Sequence, residues 1–311
     1  MKPLSLALSI EWDDCTVALS GGGVADAWLS AHQHAGHSGG AQASRDALGL
    51  VQHLLADAGR PLAAVEQFFF NAGPGAFTSL RIAAGLVQGL ALPRQRPVGA
   101  IGSLTALAAT VPAWHEAPHG TGAREVEPLA AGSGRAAGTA TGGGAGAKDV
   151  RAATSPWLLC AALDARMSEC YYAAFVCRAG QWPTPVLAPA VGTAEMAAEA
   201  FRRLRNEPLP GGQALAGLQL AGSGFGTGFD ALQAFAIESG LDPQTAAGRR
   251  PDARAVLAVA QAVGAPPAGP ARAALPHYVR DRVALDRDEQ RQAAARREAA
   301  RQPGGSPSPR S

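Results

Sequence analysis

Gly73-Pro74-Gly75-Ala76-Phe77-Thr78-Ser79-Leu80-Arg81-Ile82 decides how this chain is read. An apolar run, Val65 to Phe70, precedes it, and Leu80, Ala83, Ala84, Val87, Leu90 and Ala91 follow at the three- and four-residue spacings of one helical face. Gly73 and Gly75 permit a tight backbone path, Pro74 stiffens it, and Thr78 is placed to cap a helix that begins after it. Strand, Gly-rich turn and capped helix together predict a loop whose backbone N–H groups converge as in anion-binding loops. The same spacing fits a strand-to-helix turn that holds no ligand.

Working outward, strands are predicted over Leu4 to Ser9 and Thr16 to Ser20, joined by an acidic turn at Asp13-Asp14. Leu48, Val51, Leu54 and Leu55 mark a helix that stops near Gly59-Arg60-Pro61, and Pro97 to Ile101 reads as a strand before a helix capped by Ser103. Residues 113 to 155 contain runs such as AAGSGRAAGTATGGGAGAK, which carry too little apolar surface to offset ordering entropy and predict a disordered Gly/Ala-rich insertion. Order resumes with strand-like Trp157 to Leu163 and Tyr171 to Cys177. A helix over Glu195 to Leu204, with the Arg202-Arg203-Arg205 group on it, and a strand over Leu215 to Ala221 follow. Residues 286 to 311 read as a disordered basic tail.

Composition narrows the function. With 311 residues the chain can bury roughly three quarters of its extended surface in one or two domains. A net charge of +2 gives no electrostatic case for strong direct nucleic-acid binding. The early residues do not read as a signal peptide and no apolar run reaches membrane-spanning length, so a cytoplasmic protein is expected. Cys15, Cys160, Cys170 and Cys177 show no CxxC spacing and read as small core residues.

Taken together, GPGAFTSLRIAAGLVQGLAL, with Pro97-Val98-Gly99 and Ser103-Leu104 after it, resembles the GPGSFTGLRIG…KGLA signature of the TsaB family. Leu6 to Leu19 resembles that family's first hairpin and Ala162 to Tyr171 its DARxxExY segment. Pro251 to Ala260 is similar to its PxARxxLxxA helix, and Pro276 to Arg280 to its closing PxYxR. Ala76 replaces a hydroxyl, Ser79 a glycine and Gln88 a lysine.

The resemblance implies an α/β, two-lobed actin-like (RNase H-like) fold. Its first lobe would span 1–112 and its second 156–285, with the late helix packing back on the first. It also implies a degenerate nucleotide site at Ser9, Gly73, Gly75 and Thr78, because the aspartate that organises metal and phosphates in actin-like ATPases falls at Ser9. It implies a non-catalytic subunit that supports TsaD in N6-threonylcarbamoyladenosine modification of tRNA beside the anticodon. No cofactor is then needed on this chain; ATP and metal belong to TsaD, TsaE and TsaC. TsaE would join a larger complex, tRNA would be met only through that complex, and a homodimer stays open. The TsaD contact is expected on the helix after the Gly-rich turn, through Leu80, Ile82, Ala83, Leu86, Val87 and Leu90, with small residues allowing close approach.

Two further patterns compete. His115-Glu116-Ala117-Pro118-His119 fits HExxH and would suit a metal-dependent peptidase, but Pro118 opposes the helix that would bring both histidines to one face. His32, His34 and His37 cluster beside glycines and read as a loop, and Gly222 to Gly228 lacks the GxGxxG register. A nucleotide-binding kinase relative is the remaining alternative.

Overall fold

The structure, a computed structural model, describes residues 2–11, 14–32, 40–115, 124–125, 156–207 and 215–279. All described residues fall in one structural unit, Met1–Val279. His34, His37, Asp13, the HExxH residues after His115, most of the insertion and the whole basic tail lie outside them.

In chain order the strands are β1 (Ser5–Ile10), β2 (Asp14–Gly21), β3 (Val24–His32), β4 (Gln67–Gly73), β5 (Pro97–Gly102), β6 (Arg124–Glu125), β7 (Trp157–Arg166), β8 (Glu169–Cys177), β9 (Thr184–Thr193), β10 (Leu218–Ala221) and β11 (Gly269–Pro270). The helices are α1 (Gly40–Asp57), α2 (Phe77–Ala91), α3 (Ser103–Ala106), α4 (Pro112–His115), α5 (Ala194–Asn206), α6 (Asp230–Glu238), α7 (Pro243–Ala247) and α8 (Ala253–Ala260).

The first sheet runs β11-β5-β4-β1-β2-β3-β6, with β1, β2 and β3 antiparallel and β4 and β5 parallel to β1. The second runs β10-β7-β8-β9 and likewise pairs an antiparallel meander with one parallel strand. Each half therefore begins with a meander and adds parallel strands through helical connections, which gives the two-lobed α/β arrangement.

Strand alternation sorts the core into layers. Leu4, just before β1, and Leu6, Leu8 and Ile10 on it pack with Val51 and Leu54 of α1 and Ala83 and Val87 of α2. The opposite face offers Ala7, Ala18 of β2 and Phe69 of β4 to Val256 and Val259 of α8, and the same cluster continues into Leu159 and Ala161 of the second sheet. Small residues on β1 and β2 let α8 pack against this face of the first sheet. Leu158, Cys160 and Ala162 face the other way, toward Phe201 of α5 and Phe235 of α6. All four cysteines are buried, and burial pushes each thiol upward, that of Cys15 to about 12. They are inert core residues.

Three sequence expectations change here. Residues 113–115 belong to the fold and not to the insertion, because α4 ends there and Trp114 is buried. Ser103 does not cap a helix; Gly102 takes that position and the Ser103 hydroxyl points to Asn71 instead. Thr78 does not cap α2 either: the helix starts one residue before it, with Ala76 at the N-cap and no side chain to accept from the first turn. Ala76 already holds an extended N-cap conformation (φ −63°, ψ 121°). Ala76→Ser is therefore expected to stabilise the isolated chain by about 1 kcal/mol, read as a raised denaturant midpoint at constant slope. An unchanged or lowered midpoint would show that the buried site cannot seat the hydroxyl.

Candidate functional site

Asn71, at the end of β4, is the hub of a buried polar network. Its side-chain amide donates to Ser9 Oγ (3.1 Å) and Glu11 Oε1 (2.6 Å) and accepts from the Gly73 amide (3.2 Å) and Ser103 Oγ (2.5 Å). All four of its hydrogen-bonding positions are thereby filled. Ser9 passes its own proton on, donating to the Pro251 carbonyl at 2.8 Å. Thr16 Oγ1 accepts from the Ala253 amide at 2.8 Å, and Asp252 caps α8 by accepting from Ala255 N. The β1–β2–β4 end of the first sheet is thus latched to the start of α8.

This geometry defines what position 9 does. Ser9 is buried, and its hydroxyl is committed to a carbonyl acceptor. A carboxylate there could not donate to that carbonyl and would stand against its oxygen. Ser9 therefore serves a structural hydrogen bond.

Beside the network lies a cavity of about 240 Å³ between the sheets. Glu11, Asp14, Pro74 and Gly75 line it from the first sheet, and Leu163, Asp164, Arg166 and Ser223 from the second. The stretch Arg249–Pro251 closes it. Ser223 is oriented by accepting from the Asp164 amide at 3.0 Å, and Asp164 itself accepts from the Arg166 amide at 2.6 Å. Three arginines and three carboxylates balance one another around the space. Burial pushes the Glu11 carboxyl up to about 7, against the lowering effects of the Asn71 hydrogen bond and the Arg250 charge. Among the described residues no group of three or more His, Cys, Asp or Glu could hold a metal ion.

Of the four residues read as the degenerate loop, only Gly75 lines this cavity. Ser9 sits behind it. Gly73 holds φ +104° with Leu80 Cδ1 and the His277 carbonyl crowding the place of a side chain, and its amide serves Asn71. Thr78 is exposed on the first turn of α2. Gln88, which stands for the family's lysine, donates its amide to the Ala274 carbonyl at 2.7 Å and ties the strap of residues 271–279 to α2. Glu11, Asn71, Asp164, Ser223 and Arg249 were not singled out by sequence.

The helix expected to carry a partner contact divides cleanly. Leu80, Ala83 and Val87 are buried in the chain's own core and hold α2 on its sheet, so they are not offered to a partner. Ile82, Leu86 and Leu90 are half-buried along its flank. Between them Gly85 and Gly89 are exposed, and an added Cβ at either would meet nothing within 4 Å. Arg202 and Arg205, in contrast, are engaged by Glu238 and Ser239 and form no free basic group.

Residues 39–120 match the family model described as TsaD, tRNA N6-adenosine threonylcarbamoyltransferase. The tRNA threonylcarbamoyladenosine biosynthesis protein TsaB of Haemophilus influenzae is 40% identical over 70 residues, 22% of this chain and 30% of that protein. The protein of the same name from Escherichia coli is 30% identical over 105 residues, 33% of this chain and 42% of that protein. The matched stretches span less than half the length of these curated relatives. Among solved structures, YeaZ from Pseudomonas aeruginosa aligns with TM-score 0.53 and 28% identity over 89% of this chain and all of that one. An uncharacterized Pseudomonas aeruginosa protein described as similar to peptidase YeaZ aligns with TM-score 0.53 and 25% identity over 90% of this chain and all of that one. The fold is the two-lobed actin-like one. Among the described residues no helix is long and apolar enough to cross a membrane.

Proposed function

We propose, from the premise that this chain belongs to the TsaB family, that it is a non-catalytic subunit that docks on TsaD and supports threonylcarbamoyl transfer to tRNA beside the anticodon. One observation carries the reading: the hydroxyl of Ser9, the residue that the family resemblance sets against the carboxylate of actin-like ATPases, is spent on the Pro251 carbonyl. A lobe with a sealed ligand position keeps the scaffold and gives up the chemistry, which then falls to the partner. ATP and metal are needed by TsaD, TsaE and TsaC and not by this chain, tRNA is reached through the complex, and the setting is the cytoplasm. The helix α2 supplies the contact, through the exposed line of Gly85 and Gly89 and the half-buried Ile82, Leu86 and Leu90 beside it.

The test is binding of the full chain to purified TsaD of the same cell, with Gly85→Leu as the probe. Because Gly85 faces open space, the substitution leaves the chain's own packing intact and improves helix propensity, so the variant's melting temperature should hold or rise. At a close helix–helix contact the added leucine should weaken binding by on the order of 1–3 kcal/mol through overpacking. Unchanged affinity for TsaD would remove α2 from the interface, and no binding by the unaltered chain would sink the scaffold reading.

The peptidase alternative depends on His115 to His119, of which only the backbone of His115 is described.

A further inference from the structure

At the N-terminal end of α2, three side chains form an exposed cluster. The Arg81 guanidinium lies 3.9 Å from the centre of the Phe77 ring, and its Nε donates to the Tyr278 hydroxyl at 3.1 Å. The Phe77 and Tyr278 rings are 5.4 Å apart. Phe77 is 36% exposed and Tyr278 48%, so a cation and two aromatic rings are held in fixed mutual geometry at the surface. Nothing in the core requires this. Among the described residues Arg81 has no carboxylate partner, and its Nη groups make no hydrogen bond.

The charge around the cluster is one-sided. Residues 67–115, which include α2, contain no Asp or Glu, and neither do residues 253–279, which include the strap. The strap is fixed along α2 by Gln88 and Tyr278, and it brings exposed Arg272 and Leu275 to that side. Arg94 is exposed just beyond the helix end. On the other flank, α1 carries Asp46 and Asp57, the latter 3.4 Å from His53. Among the described residues the α2–strap face is therefore apolar in the middle, arginine-bearing at both ends and free of carboxylates.

We propose that this face receives a partner-protein helix edged with carboxylates, and that Arg81, set by Phe77 and Tyr278, is its main charge contact. The proposal rests on the TsaD-docking reading above and adds the chemistry of the surface that TsaD must present. A preset guanidinium loses little freedom when it closes on a carboxylate, and its planar fork suits bidentate pairing. A second copy of this chain fits less well, because a two-fold contact of the face with itself would set arginine against arginine and bring no carboxylate.

The experiment measures affinity of the full chain for purified TsaD at about 50 mM and about 500 mM salt, where screening differs strongly. Binding should weaken with salt, and Arg81→Glu should weaken it about tenfold or more at low salt while shrinking the salt effect. Arg272→Glu, on the strap, should act in the same direction and serves as the independent variant if the first folds poorly. Arg81→Lys should fall between, since it keeps the charge and loses the fork. Binding of the unaltered chain that ignores salt and both charge reversals would overturn this inference and leave the scaffold reading standing. No binding at any salt would overturn the scaffold reading itself. Weakened binding to bulk tRNA with TsaD binding untouched would reassign the face to RNA and overturn the inference.

Discussion

Gly222→Ala should abolish cooperative unfolding or cost upward of about 3 kcal/mol, the largest single-residue effect expected in the chain. Gly222 joins β10 to the turn that carries Ser223, and it holds φ +116° and ψ 158°, a backbone conformation essentially confined to glycine. An added Cβ would lie 2.0 Å from the Ala162 carbonyl oxygen and 2.9 Å from its carbon, both backbone atoms of β7. Neither can yield without breaking the β7–β10 pairing, which runs from Leu218 to Ala221 against Leu158 to Ala161. Gly228 is the control: its φ is +90°, yet a Cβ there meets nothing within 4 Å. Gly228→Ala should therefore show conformational strain alone, about 1–2 kcal/mol. Equal losses in the two variants, measured by denaturant unfolding, would show that the clash at Ala162 is relieved and that only φ matters.

The same glycine shows how far the sequence could be read. Gly222 to Gly228 was legible as a glycine turn, but which glycine is indispensable depends on a strand some sixty residues earlier in the chain. The strands β1, β2, β4, β5, β7 and β8 were legible because their apolar runs are bounded by Gly, Pro or acidic turns. The strand β9 was not: Pro185 and Pro189 argue against a strand, and it survives because it lies at a sheet edge, where a missing donor costs little. The α2 periodicity located the helix and its inward face, while the outward face was harder to read, since leucine is both buried (Leu80) and half-buried (Leu86, Leu90) and the exposed Gly85 and Gly89 carry no polar side chain. The site was least legible. Asn71 reads as a polar residue at a strand end, and its partners Ser9, Glu11 and Ser103 stand 62, 60 and 32 residues away. Ser9 was singled out only through the family resemblance, and its use as a donor to Pro251, 242 residues along the chain, leaves no local signal.

Glu11→Gln should make the protein more stable at pH 8 and leave it nearly unchanged at pH 4.5. The carboxyl is pushed up to about 7 in the folded chain, against 4.5 as its ordinary value, mainly by burial. Between those values the native state holds a proton that the unfolded chain has released, so stability falls as pH rises through the interval. The loss is absent below about 4.5 and complete above about 7. The shift corresponds to about 3 kcal/mol at most, since one pKa unit is worth about 1.4 kcal/mol. Glutamine keeps the oxygen that accepts from Asn71 and never acquires the charge, so its stability should lack this slope. What it gives up is the attraction of Arg250, which partly offsets the cost of charging Glu11 in the native protein, and the repulsion of Asp14, which adds to it. Melting curves of both proteins from pH 4.5 to 8 should diverge by several degrees, with the gap opening between about pH 5 and 7. A gap independent of pH would mean that Glu11 titrates normally and that the cavity admits enough water to solvate its charge. The Ser9–Asn71 latch would then be the only sealed part of the site.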